Sequence, residues 1–227
     1  HQGKVRLYKA AYLFAVGTLP QAQGRQIASK LLGAADDVLK KQGVELALLA
    51  PAEPSLYHFY QKRGYESFFT RRELFFEPKG RAEHPDTRTL SLKPVSLSEY
   101  YPKHINLIPQ ESILWDEQTL CFAERESILY GGGLYVLMDG QNELCICNIY
   151  RYKEEEVIVK ELLLQQGVSE QQAIEALRNL FLQCRMTIRL TGTDKENRVP
   201  SGMIRFYGPK EDMPENTQMA YLPFLLD

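Results

Sequence analysis

Leu19-Pro20-Gln21-Ala22-Gln23-Gly24-Arg25-Gln26-Ile27-Ala28 is a short polar turn between two unlike patterns. Ahead of it, Tyr12-Leu13-Phe14-Ala15-Val16 is apolar, aromatic and β-branched, the pattern of a buried strand. Behind it, apolar residues recur at Ile27, Leu31, Ala34 or Ala35 and Val38, which is helical spacing, and Gly43 stands where such a helix would stop. A strand that passes into a helix through a short loop gathers unpaired backbone N–H groups at one point, where the positive end of the helix dipole also lies. Such a point suits a phosphate. Many α/β proteins share the pattern and bind nothing there, so the flanking sequence has to decide.

Val44 to Ala50 reads as a second buried strand. Glu53-Pro54-Ser55 then opens a short helix, with proline where its missing N–H costs nothing. That helix carries Leu56, Tyr57, Phe59 and Tyr60 and ends at Gly64, followed by Tyr65. With these residues assembled, the chain resembles the GCN5-related N-acetyltransferase (GNAT) superfamily. The resemblance rests on Ala15-Val16-Gly17-Thr18-Leu19-Pro20, on Gln23-Gly24-Arg25-Gln26-Ile27-Ala28, and on Phe59-Tyr60-Gln61-Lys62-Arg63-Gly64-Tyr65. The family loop reads Q/R-x-x-G-x-G/A; Gln23 and Ala28 fit it, and Gln26 stands at its first glycine. Glycine there lets the backbone approach a pyrophosphate without an intervening Cβ. Gln26 retains a usable N–H if its φ is negative, as in the first turn of a helix.

The resemblance implies an α/β fold with a mixed sheet, N-terminally incomplete, because three strands and two helices normally precede this point. His1-Gln2-Gly3 has no initiator Met, which fits a trimmed or partial chain. It implies acetyl-CoA as acyl donor, lying along Val16, Gly17 and Thr18, with its pyrophosphate on backbone N–H groups of Gln23, Gly24, Arg25, Gln26, Ile27, Ala28 and Ser29. It places Tyr60 as the acid beside the departing sulfur; the plainer alternative is that Tyr60 packs against the sheet with a satisfied hydroxyl. The acceptor would be a small-molecule or peptide amine, and a homo-oligomer is compatible with the family.

Composition sets the bounds. The 227 residues suffice for one large or two modest domains, and 44% hydrophobic with 25% charged residues is ordinary for a globular protein. A net charge of −2 argues against a general nucleic-acid partner. No run is long enough to span a bilayer and no secretory signal is visible, so a cytoplasmic location without membrane association is expected. Cys145 and Cys147 alternate along a strand pattern, and with Cys121 and Cys184 they read as reduced thiols rather than metal ligands. His1, His58, His84 and His104 lack ligand spacing, so no metal is expected.

Lys4 to Lys9 alternates and can form a strand, and Glu66 to Glu77 reads as one strand or a hairpin. The charged stretch Pro78 to Thr87, broken by two prolines and a glycine, divides the chain into 1–80, the cofactor-binding half of an acetyltransferase domain, and 81–227. In the second part a helix starts near Ser98, and a second spans Thr119 to Leu129 with Leu120, Ala123 and Ser127 or Ile128 inward. Gly131-Gly132-Gly133 reads as a flexible turn before the strand Leu134 to Met138. Asp139-Gly140 joins that strand to Leu144–Tyr152 as a hairpin, and Val157 to Leu164 is the next strand. Ser169 with Gln172 reads as a capping box opening a helix with Ile174, Leu177, Leu180 or Phe181 and Cys184 inward, and Met186 to Leu190 returns as a strand. This order is similar to a GNAT half without the cofactor loop, an arrangement that resembles the multidomain acetyltransferases related to the enhanced intracellular survival protein.

The first reading of function is therefore an N-acetyltransferase. A non-catalytic coenzyme A-binding or assembly module is the alternative, supported by Gln26. Aminoacyl transferases that use aminoacyl-tRNA rank last, because no basic tract is present. The apolar end Met219 to Asp227 either docks in a groove, where the resemblance would bring the Asp227 carboxylates to the amine beside Tyr60, or forms a last strand with Asp227 solvated.

Overall fold

The structure is a computed structural model that describes residues 6–80, 89–109, 111–191, 198–214 and 220–223. In chain order the elements are β1 (Ala10–Tyr12), α1 (Ile27–Lys41), β2 (Leu46–Leu49), α2 (Pro54–Gln61), β3 (Glu66–Phe76), β4 (Leu90–Pro94) and α3 (Leu97–Leu107). They continue as α4 (Glu117–Leu129), β5 (Gly133–Asp139), β6 (Asn142–Lys153), β7 (Glu156–Leu164), α5 (Glu170–Leu180), β8 (Arg185–Thr191) and β9 (Arg198–Phe206). Parallel and antiparallel pairs both occur, as an α/β mixed sheet requires.

These elements form two compact units. The first takes in the chain through Phe69 and recruits residues from Pro200 onward; the second holds Thr70–Val199 and the described tail residues. The units part inside strands, between Phe69 and Thr70 and between Val199 and Pro200, whereas composition puts the boundary in the Pro/Gly-rich loop after Phe76.

In the first unit β1 runs parallel to β2, with Ala10 opposite Leu46, and β2 runs antiparallel to β9, with Leu49 opposite Met203. The strand expected over Tyr12–Val16 stops at Tyr12, and Ala15 turns left-handed with φ 55°. Leu13 still donates to the Leu48 carbonyl (2.8 Å). Of Lys4 to Lys9, residues 6–9 are described, and they form no strand. Helix α1 is where its spacing puts it, but its other face is inward. Ile27, Leu31 and Val38 are 40%, 54% and 52% exposed, while Leu32 and Asp36 are buried. The stripe 32–36–39 has the same helical period, and periodicity alone cannot say which stripe meets the sheet. The core is Leu32, Ala47, Leu49, Tyr60, Tyr65 and Met203.

The second unit is a sheet ordered β3–β8–β7–β6–β5–β4, with β7 and β8 parallel and the rest antiparallel. The hairpin of β5 and β6 forms as Asp139-Gly140 indicates, with Gly140 at φ 59°. Glu66–Phe76 is one strand, not a hairpin. One face of the sheet packs on α5 through Ala173, Ile174 and Leu177, and the Cys145 and Cys147 thiols lie fully buried in that core. Ser169 accepts from the Gln172 N–H (3.2 Å), and at α3 the Glu99 carboxylate accepts from the Ser96 N–H (3.1 Å). Gly131 to Gly133 has a steric reason rather than a need for flexibility. A Cβ on Gly132 would lie 1.8 Å from the Ile149 carbonyl oxygen.

A buried polar cluster fixes the tail. Glu161 on β7, fully buried, accepts from the Tyr100 hydroxyl (2.8 Å) and from the Tyr221 hydroxyl (3.0 Å), with His104 Nδ1 at 3.0 Å. Tyr221 also bonds by its backbone to Glu111 and Ile113, and the Trp115 indole donates to the Pro223 carbonyl (2.8 Å). Ala220, Tyr221 and Leu222 are buried, so this part of the tail docks, through a single bridge to Ser112 rather than a strand.

Candidate functional site

The strand-to-helix turn is built as a cradle. Pro20–Ala22 makes a short 3-10 turn, and Gly24 takes φ 76° with nothing within 4 Å of where a Cβ would sit. Gln26 is the N-cap of α1 with φ 58° and ψ 22°. The condition of a negative φ at Gln26 is not met: the residue adopts the left-handed conformation that glycine supplies freely, at a cost of about 1–2 kcal/mol for an L-residue. The Gln26 side chain makes no capping bond to α1 and no acidic residue stands in the helix's first turn, so neither satisfies its leading N–H groups. Gly17 and Gln23 to Ile27 are exposed, and Val16, Thr18, Ala28 and Ser29 are half-buried.

The second helix is pinned to this turn by Arg63, a residue to which the sequence motif assigned no role. Its guanidinium donates to Ser29 Oγ (3.1 Å from Nε) and lies over the Phe59 ring, 3.4 Å from the centroid. Phe59 and Arg63 are four apart, the helical spacing at which side chains meet, and that spacing is the signal available in the sequence. The contact sets one more positive charge at the α1 N-terminus.

Tyr60 is held by the way α2 ends. The Tyr65 N–H bonds to the Tyr60 carbonyl (3.2 Å) and the Gly64 N–H to the Gln61 carbonyl (3.0 Å), with Gly64 at φ 78°. This is a Schellman motif, and its usual contact between the flanking apolar residues is the edge-on meeting of the Tyr60 and Tyr65 rings, 5.8 Å between centroids. Burial raises the Tyr60 hydroxyl above the usual tyrosine range, with the Arg63 charge pulling the other way. Tyr60 therefore keeps its proton at neutral pH and can donate it. His58, on the same helix, is exposed.

The turn and Tyr60 are thus drawn together through Ser29 and Arg63. Asp227 lies outside the described residues, and so does its expected approach to Tyr60. Among the described residues no three His, Cys, Asp or Glu side chains converge as a metal-binding group, and no helix is long and apolar enough to cross a membrane.

A family model described as an acetyltransferase (GNAT) domain matches residues 3–68, the segment that holds the turn, α1 and α2. The fold is that of the GNAT superfamily. Solved structures with this fold include Eis1 from Mycobacterium abscessus (TM-score 0.62, 14% identity, 88% of this chain and 56% of that one). A GCN5-related N-acetyltransferase from Kribbella flavida aligns at TM-score 0.58 and 16% identity, over 87% of this chain and 52% of the other. A tandem GNAT protein from the clavulanic acid biosynthesis pathway aligns at TM-score 0.50 and 12% identity, over 89% and 76%. The chain spans about half the length of the first two. No curated protein matches the sequence.

Proposed function

We propose that this GNAT chain carries the donor-binding half of an N-acetyltransferase that moves an acetyl group from acetyl-CoA to a primary amine by direct attack. The observation that supports it best is the left-handed turn at Gly24 and Gln26 opening onto an uncapped helix, with Tyr60 tethered beside it through Arg63 and Ser29. Of residues 81–227, those up to Val199 read as a second GNAT-like domain without a donor loop, and those from Pro200 to Gln218 join the first unit.

The residues fit the donor. The N–H groups from Gly24 to Ser29 and the α1 dipole would hold its pyrophosphate, Arg63 would add charge, and the irregular segment Val16 to Thr18 would line its arm. Acetyl-CoA supplies the thioester. The amine has to arrive uncharged, because only a lone pair attacks carbonyl carbon, and Tyr60 would give its proton to the leaving sulfur. Asp227 would take up the amine's proton if the tail brings it near.

The test is transfer from acetyl-CoA to a panel of amines by wild type and Tyr60→Phe. The expected result is single-turnover transfer lowered about 10²-fold in the variant with donor affinity unchanged; equal rates remove Tyr60 from the mechanism. The strained Gln26 supports one competing reading, a coenzyme A-binding module that does not turn over. Saturable binding without transfer to any amine would favour it.

A further inference from the structure

Strand β9 comes from late in the chain, yet it carries the side chain that meets both functional helices of the first unit. The Arg205 guanidinium pairs with Asp36 Oδ2 on α1, and Asp36 is buried, with only 5% of its side chain exposed. The other Asp36 oxygen accepts from the Tyr207 hydroxyl (2.5 Å). Along its length Arg205 lies against the turn that ends α2, where a Cβ on Gly64 would be 3.6 Å from Arg205 Nε. That turn is the Schellman motif that wraps the Tyr60 carbonyl and sets Tyr65 against the Tyr60 ring. The Tyr65 hydroxyl, buried and without a hydrogen-bond partner among the described residues, lies in the field of Asp36 and Arg205.

We infer that Arg205, held by Asp36, is a positioning residue for Tyr60: it locks the Gly64 turn against α1, so that the acetyltransferase unit is completed by residues 200–207 from late in the chain. The inference rests on the acetyltransferase reading for its kinetic arm only. Arginine suits the task because its flat guanidinium can pair with a carboxylate while its stem packs on the turn.

The test compares wild type with Arg205→Met and with Asp36→Asn/Arg205→Met. The double variant leaves no unpaired buried charge and guards against a single variant that fails to fold. Turnover, acetyl-CoA affinity and the ring signals of 13C-labelled tyrosines, assigned with Tyr60→Phe, are measured in each. The expected result is kcat lowered at least tenfold, acetyl-CoA affinity within twofold of wild type, and shifted or broadened Tyr60 and Tyr65 signals. Wild-type kcat in the double variant, or unchanged ring signals, would overturn the inference. A wild type that transfers acetyl to no amine counts against the acetyltransferase reading alone, and the ring signals then decide the positioning by themselves.

Discussion

Removing one oxygen from the tail should destabilise the second unit measurably. Tyr221→Phe deletes the hydroxyl that donates to Glu161 Oε1 at 3.0 Å and leaves the ring in place. Glu161 is fully buried, so water cannot replace the lost donor, and among the described residues the carboxylate keeps Tyr100 and His104. A hydrogen bond to a charged group is worth about 1.5–3 kcal/mol, and the phenyl ring loses no packing, so the loss should fall in that range. With an m-value of about 3 kcal/mol/M, the urea midpoint should drop by roughly 0.5–1 M with m unchanged. The chain's one tryptophan reports the event, because the Trp115 indole donates to the carbonyl of Pro223, two residues from Tyr221. A cycle with Glu161→Gln isolates the pair, and the expected coupling is about 1 kcal/mol or more. A midpoint within 0.2 M of wild type, on an order-of-magnitude view of that bond, would refute the claim that this contact anchors the tail.

Gln26→Gly should stabilise the chain by about 0.5–1 kcal/mol, since the left-handed strain removed exceeds the added chain entropy of glycine; thermal melts check this, and a lower midpoint would count against the left-handed turn. Stability should also fall above the ordinary tyrosine pKa. Tyr65 and Tyr207 have folded pKa values raised, by burial first and then by Asp36, so their contribution is intact below about pH 10 and is lost as pH rises toward their folded values. There the folded state holds more protons than the unfolded chain, and each tyrosine should cost about 1.4 kcal/mol per pH unit in urea titrations. Tyr65→Phe should flatten that slope, and an unchanged slope would contradict its burial as a neutral group.

Elements with strong local signals were legible in the sequence. The Pro54 start and Gly64 stop framed α2, Asp139-Gly140 gave the hairpin, and Ser169 gave the start of α5. Strand β9 was not legible, because Pro200 and Gly202 are residues that weaken a strand pattern and its partner β2 lies about 150 residues earlier, beyond any local pattern. Its late arrival also explains why a boundary drawn from loop composition differs from the compact units. Buried Asp36 and Glu161 escaped for a related reason: a charged residue is assigned outward until its partners, Arg205 and Tyr207 or Tyr100 and Tyr221, are brought in from distant segments. The donor turn could be read as motif, but whether Gln26 would pay the strain of a glycine position could not, since φ is set by the surrounding turn.

Donor binding at the Gln23–Ser29 turn is measured by calorimetry of acetyl-CoA with wild type and Gly24→Pro. Proline cannot take the φ of 76° found at Gly24 and removes its N–H. One saturable site is expected in wild type, with at least about tenfold weaker binding in the variant, about 1.4 kcal/mol, and the fold retained by circular dichroism. Equal affinity in the two proteins, or no binding by wild type, would contradict donor binding at this turn.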